Sequence, residues 1–154
     1  GCEFAQRRHQ LGQEAALVHG PFSLQGEWIT AAVDTGGRSD DPAFFGFYTY
    51  ASYFLTGEHR PYDTEDGTFD RVKPKRNFNL RGGEKGPGAW ELALRYSMLD
   101  LSAKKIDGRE LRNITAGLNW YLNPNTRAML NYVFADLEGP GELNTVQTRF
   151  QVDF

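Results

Sequence analysis

A single cysteine, Cys2, among 154 residues leaves no partner for an intrachain disulfide and no basis for a thiolate-rich zinc site. The histidines His9, His19 and His59 lack ligand spacing and have no cysteine beside them, so no metal centre is expected. Positive charge is not in excess either. Against 20 Asp and Glu stand 17 Lys and Arg, a net charge of -3, which removes the basic footprint that a nucleic-acid partner requires. No window approaches about 18 consecutive apolar residues, which excludes a transmembrane helix. It does not exclude transmembrane strands, whose alternating pattern averages to a hydropathy like that of a soluble protein; the mean hydropathy here is -0.56. Catalytic signatures are missing as well. No serine sits in a G-x-S-x-G setting, and Gly82-Gly83-Glu84-Lys85-Gly86 lacks the spacing and hydroxyl residue of a phosphate-binding loop. Neither an enzyme activity nor a cofactor is expected.

What the chain does have is aromatic residues, 14%, and 17 glycines. That composition suits many strands separated by Gly, Asn and Asp turns. Residues 89–101 alternate best, with Trp90, Leu92, Leu94, Tyr96 and Met98 on one face and Glu91, Ala93, Arg95 and Ser97 on the other. Residues 111–122 group Ile114, Ala116, Leu118, Trp120 and Leu122 against Asn113, Thr115, Gly117, Asn119 and Tyr121. Asn123-Pro124-Asn125 then breaks the run, because proline fixes φ and asparagine tolerates turn dihedrals. Residues 127–135 resume with Ala128, Leu130, Tyr132 and Phe134, and 145–154 set Val146, Thr148, Phe150, Val152 and Phe154 opposite Gln147, Arg149, Gln151 and Asp153. Upstream, 23–33 place Leu24, Trp28 and Ala32 opposite Gln25 and Glu27. Residues 44–57 carry aromatics on both faces and leave their register open, 10–19 read equally as strand or helix, and 58–88 form a long connecting segment. Loops 34–43, 102–110 and 137–144 fall on one side of this sheet and 123–126 on the other, with 58–88.

Three features point the apolar face at lipid. The rings of Trp90, Tyr96, Trp120, Tyr132, Phe134 and Phe154 read as lying near strand ends, where barrel girdles sit. The runs exceed the usual length of soluble strands. The opposite face is rich in Asn, Gln, Tyr and Arg, which cannot form a dry core. A lipid-facing arginine at the bilayer midplane costs roughly 2–4 kcal/mol and about 0–1 at the interfaces; Arg95 and Arg149 duly fall opposite the aromatic row. Glu14, Glu27 and Glu91 orient their strands in the same way, and Arg112, which shares parity with Ile114, stands at a strand start. The expected lipid-facing set is therefore Trp90, Leu92, Leu94, Tyr96, Ile114, Leu118, Trp120, Leu130, Tyr132, Phe150, Val152 and Phe154. The expected pore-lining set is Glu91, Arg95, Asn119, Arg127, Asn131, Arg149 and Gln151. Arg95 and Arg149 are the expected contacts for a permeating anion, with pairing to Glu91 or Asp153 as the structural alternative. The basic run Arg71-Val72-Lys73-Pro74-Lys75-Arg76 reads as a solvated turn whose field Asp63, Glu65, Asp66 and Asp70 cancel.

Several segments in order, FGFYTYASYFLTGEHRPY, GTFDRVKPKRNF, GAWELALRYSMLDL, LNWYLNPNTRAMLNYV and RFQVDF, together with PFSLQGE at 21–27, resemble the phosphate-selective porin O and P family. The resemblance implies an all-β, antiparallel transmembrane β-barrel of sixteen strands. Residues 1–154 would be its C-terminal portion of about seven strands, and Gly1-Cys2 a start inside a longer chain. It also implies a passive outer-membrane channel for small solutes in a Gram-negative bacterium, phosphate or other anions among them. The implied partners are outer-membrane lipid, two further copies in a homo-trimer, and the barrel-insertion machinery, which would read Phe150, Val152 and Phe154. In that family phosphate selectivity rests on a lumen ladder of arginines and on basic residues at a constriction made largely by earlier loops. The lining proposed here is mixed, with Arg95, Arg127 and Arg149 against Glu14, Glu27, Glu91 and Asp153. The alternative is a β-barrel ligand-binding module without channel activity, with its apolar face turned inward.

Overall fold

A computed structural model describes residues 7–34, 42–63, 68–80, 85–103, 106, 108–139 and 141–153. The period-two pattern becomes strands β1 (Arg7–His19), β2 (Phe22–Asp34), β3 (Ala43–Phe54), β4 (Tyr62–Asp63), β5 (Thr68–Phe69), β6 (Ala89–Asp100), β7 (Glu110–Asn123), β8 (Thr126–Leu137) and β9 (Gly141–Val152). Among the described residues there is no helix. Seven strands make one open antiparallel sheet in the order β1-β2-β3-β6-β7-β8-β9, and β4 pairs with β5 apart from it. The long strands have 12 to 14 residues. At a rise of about 3.4 Å per residue, twelve residues reach about 40 Å, or about 28 Å along the normal when tilted by about 45°, enough for the apolar band of about 25 Å on an outer-membrane barrel.

Residues directly opposite one another in a ladder share a face, so the register defines both faces of the sheet. One row runs Leu17–Leu24–Ala51–Leu94–Ala116–Tyr132–Val146, apolar in every strand. The next row, on the other face, runs Ala16–Gln25–Tyr50–Arg95–Thr115–Val133–Thr145. Residues 10–19 are strand rather than helix: β1 pairs with β2 along its whole length, and pairing decides what local pattern left open. The register of β3 is settled too. Phe45, Phe47 and Tyr53 join the apolar rows, opposite Thr30, Trp28 and Phe22, while Tyr48, Tyr50 and Phe54 stand on the polar face.

Two sequence expectations shift. The loop expected at 137–144 is a short connection, because Gly139 (φ 97°) and Gly141 (φ 113°) turn the chain tightly and Glu142–Asn144 already pair with β8. Of the rings read as lying near strand ends, Trp90 and Trp120 do so, stacked with centroids 5.0 Å apart. Tyr96 and Tyr132 lie farther inside β6 and β8, since those strands extend to Asp100 and Leu137, while Phe134, like Trp120, is three residues from the end of its strand. Phe154 lies outside the described residues.

The turns at residues 20–21 and 124–125 share one end of the sheet with the long 55–88 connection. At that end lies the core cluster of Phe54, Val72, Ala89 and Tyr121. Three of these belong to the polar face and the fourth to the connection, which therefore folds over the sheet rather than away from it.

Candidate functional site

The end of the polar face beside the 55–88 connection is built on two cross-strand rows, Phe54–Glu91–Asn119–Met129–Arg149 and Ala89–Tyr121–Arg127–Gln151. Glu91 is 0% exposed and Asn119 8%. Glu91 Oε1 accepts from Arg60 Nε at 3.0 Å, and Oε2 accepts from Asn119 Nδ2 at 2.8 Å and Tyr121 OH at 2.9 Å. Arg60 also donates through Nη2 to Tyr50 OH at 3.0 Å. Its guanidinium carbon lies 5.1 Å from the Tyr50 ring centre and 5.3 Å from that of Phe69, within cation–π range. Burial alone would weaken the Arg60 cation, but the Glu91 carboxylate, together with Tyr50 and Tyr121 beside it, moves the guanidinium pKa up. Such a pair adds little net stability, yet removing one partner strands a buried charge at a cost of about 3–5 kcal/mol.

The connection is attached at further points. Glu58, also buried, accepts from Thr56 Oγ1 and from the Lys75 backbone N–H at 3.1 Å. Arg71 Nη1 donates to Asn125 Oδ1 at 2.6 Å, and the Phe78 N–H donates to the Leu122 carbonyl at 2.6 Å. The Phe78 ring stands edge-on to Trp120 at 4.7 Å. The basic run at 71–76 thus has exposed cationic side chains on an anchored backbone, with Val72 buried between them. Between connection and sheet is a recess of about 290 Å³ lined by Arg60, Asp70, Arg71, Tyr121, Arg127 and Asp153 among others.

The remaining candidates lie farther along the same face. Arg95 is exposed, with its guanidinium carbon 4.6 Å from the Tyr48 ring centre, and shares a recess of about 260 Å³ with Glu27. Arg127 donates through Nε and Nη2 to Gln151 Oε1 at 3.2 and 2.8 Å, and Gln151 Nε2 donates to Asp153 Oδ1 at 2.8 Å. Asn131 pairs with Gln147 in register, and Arg149 is exposed opposite Met129. Arg95 and Arg149 are therefore not the partners of Glu91; Arg60 is. Arg60 and Tyr50 had no place in the sequence expectations. Nothing local marks an arginine in an irregular segment as the partner of a glutamate 31 residues away. On the opposite face the register gathers Trp90, Leu92, Leu94, Tyr96, Ile114, Leu118, Trp120, Leu130, Tyr132, Phe150 and Val152. Arg112 is there as well, at the far end, opposite Met98 and Asp136 and bonded to Glu110.

A long-stranded antiparallel sheet, apolar across one face and charged across the other, is a portion of a β-barrel wall of the porin kind. The comparisons agree. The model of the family described as phosphate-selective porin O and P matches residues 3–154, and the chain belongs to that family. Similar proteins include an uncharacterized protein of Caulobacter vibrioides, 36% identical over 154 aligned residues that cover 93% of this chain and 29% of the relative. Another is Porin O of Pseudomonas aeruginosa, 31% identical over 138 residues that cover 80% of this chain. The chain spans 29% of the length of each.

Proposed function

We propose that this chain is part of the wall of a Gram-negative outer-membrane porin, with its apolar rows against lipid and its polar face along a water-filled passage. Small solutes, phosphate and other anions among them, diffuse through that passage without a cofactor. The observation that carries this reading is the apolar row crossing seven strands while remaining largely uncovered. An exposed apolar surface of that extent calls for a nonaqueous partner. A ligand-holding barrel with its apolar face inward would leave Arg95, Arg127 and Arg149 on the outer wall. The family reading extends to a trimeric assembly and to delivery by the barrel-insertion machinery.

Along the passage, Arg95, Asn131 and Arg149 stand at the open part of the wall, and Arg127 and Gln151 at the recess beside the 55–88 connection. Glu91, with no exposed surface, and Asn119, which bonds it and is nearly buried, lie at the end of the face that the connection covers. Arginine with Glu27 and Asp153 gives a mixed lining, so selectivity follows local balance rather than a uniform field. The test uses Porin O with its matching stretch exchanged for this chain, hereafter the exchanged porin. At about 7 Å in water, a unit charge acts on a passing ion by about 0.6 kcal/mol, so reversing Arg149 changes its energy by about 1 kcal/mol before screening. Arg149→Glu lowers anion-over-cation permeability several-fold, read as the reversal potential in a salt gradient. An unchanged reversal potential removes Arg149 from the passage, and absence of conductance steps from the unmodified exchanged porin removes the channel reading.

A further inference from the structure

Glu91 stands in a row of the polar face, yet no part of it is exposed to solvent. Among the described residues its two carboxylate oxygens accept from Arg60, Asn119 and Tyr121. A permeating ion therefore finds no free oxygen there, and the carboxylate must act on the protein itself.

Its charged partner among the described residues, Arg60, comes from the connection that covers it. Arg60 lies over two rings, Tyr50 from the sheet and Phe69 from the connection, so its guanidinium joins the two parts. The other attachments of residues 58–63 and 68–80 to the sheet are of a different kind. Arg71 reaches the amide oxygen of Asn125, the Phe78 N–H reaches a carbonyl, and Val72 packs against Phe54 and Tyr121. Among these contacts, Glu91 alone supplies a full charge from the sheet. A buried ion pair adds little net stability but tolerates little displacement, and its best-attested use is to fix register between two elements.

We propose that Glu91 is a positioning residue: through Arg60 it pins residues 58–63 and 68–80 against the polar face. The recess between Arg60, Arg71 and Arg127 thereby keeps one width. The consequence for ion flow rests on the channel reading above; the pinning itself does not.

The experiment compares Glu91→Gln, Arg60→Ala and the double variant in the exchanged porin, by limited trypsin digestion and by single-channel recording. The Arg71–Val72 bond leads into buried Val72, so cutting there reports detachment of the connection. Proteolysis follows the population of the open form when reclosing is fast. Glu91→Gln should keep heat-dependent gel mobility, raise the cutting rate after Arg71 roughly tenfold or more, and turn a single current level into two or more. Arg60→Ala should do the same, and the double variant should be no worse than either alone. If both single variants keep the original digestion rate and a steady current, the proposal fails. It also fails if they lower only the unfolding midpoint, because a purely structural carboxylate would do that. Should Glu91→Gln lose the folded mobility, Arg60→Ala decides, since it alters the connection and not the wall. If the unmodified exchanged porin carries no current, the channel reading falls and the digestion comparison still judges the pinning.

Discussion

Leu94 and Arg95 are adjacent in β6 and meet opposite surroundings, whereas Glu91 and Arg95 share a face and differ almost as much. The first contrast is set by strand parity. Leu94 belongs to an apolar row that crosses the whole sheet, and Arg95 to the polar row beside it. The second contrast is set by cover: Arg95 is exposed beside Tyr48, while Glu91, four residues earlier, is closed off by the 55–88 connection. Parity is a local property that alternating side chains carry in themselves. Cover is a tertiary property that depends on where a distant segment comes to rest.

The sharpest way to break the parity contrast is to place the same cation on both sides of one strand. Val146 is 67% exposed and Gln147, its neighbour, is exposed on the other face. In a sheet with water on both faces, Val146→Arg and Gln147→Arg would each cost well under about 1 kcal/mol. With lipid on the Val146 side, Val146→Arg should cost about 2–4 kcal/mol, as its row lies mid-strand, and Gln147→Arg should stay near zero. Urea unfolding of the exchanged porin in lipid vesicles reads the difference. Equal costs would remove lipid from the apolar face.

Cover can be sharpened with two glycines that share a positive φ and little else. Gly88 (φ 72°) closes the connection where it re-enters the sheet. A Cβ there would come within 2.5 Å of the Tyr121 carbonyl oxygen and 2.9 Å of Trp120 Nε1. Gly139 (φ 97°), in the turn between β8 and β9, would meet nothing within 4 Å. Left-handed backbone costs an alanine about 1–2 kcal/mol at either site. Gly88→Ala should add an overlap of about 1–3 kcal/mol, typical of overpacking, which Gly139→Ala avoids. The same unfolding measurement should therefore separate them by about 1–3 kcal/mol. Equal losses would mean that the re-entry is loosely packed.

The same contrasts separate what the sequence makes legible from what only the fold decides. Rows such as Trp90, Leu92, Leu94 against Glu91, Ala93, Arg95 were legible because successive side chains of a strand point to opposite faces, one apolar and one polar. The turn at Asn123-Pro124-Asn125 was legible because proline and asparagine act on their own backbone; the Asn125 N–H bonds Asn123 Oδ1 at 2.8 Å. In 44–57 the pattern failed, since Tyr48, Tyr50 and Phe54 are aromatic yet belong to the polar face. They are there as platforms for Arg95 and Arg60 and as packing for Val72 and Tyr121. Glu91 read as a residue of the pore wall because its parity is right. Its burial follows from Arg60 and Val72, whose position no periodicity encodes. Among 17 cationic and 20 acidic side chains, composition alone does not pick out that pair.

The smallest contrast concerns polar groups that share the polar face but not its water. Ser23 and Ser52 face each other across β2 and β3 with hydroxyl oxygens 2.7 Å apart, and each is 3% exposed. Asn131 and Gln147 are the corresponding cross-strand pair between β8 and β9, where Gln147 is exposed. Ser52→Ala leaves the Ser23 hydroxyl buried without this partner and should cost about 1–3 kcal/mol, toward the low end because a hydroxyl is small. Replacing both serines with alanine should cost no more than the single change, since the stranded group is then gone. Gln147→Ala, where water replaces the lost amide, should fall within about 0.5 kcal/mol of zero. A Ser52→Ala cost equal to that of Gln147→Ala would show that water reaches the serine pair. The dry part of the polar face would then be confined to the rows that touch Glu91 and Tyr121.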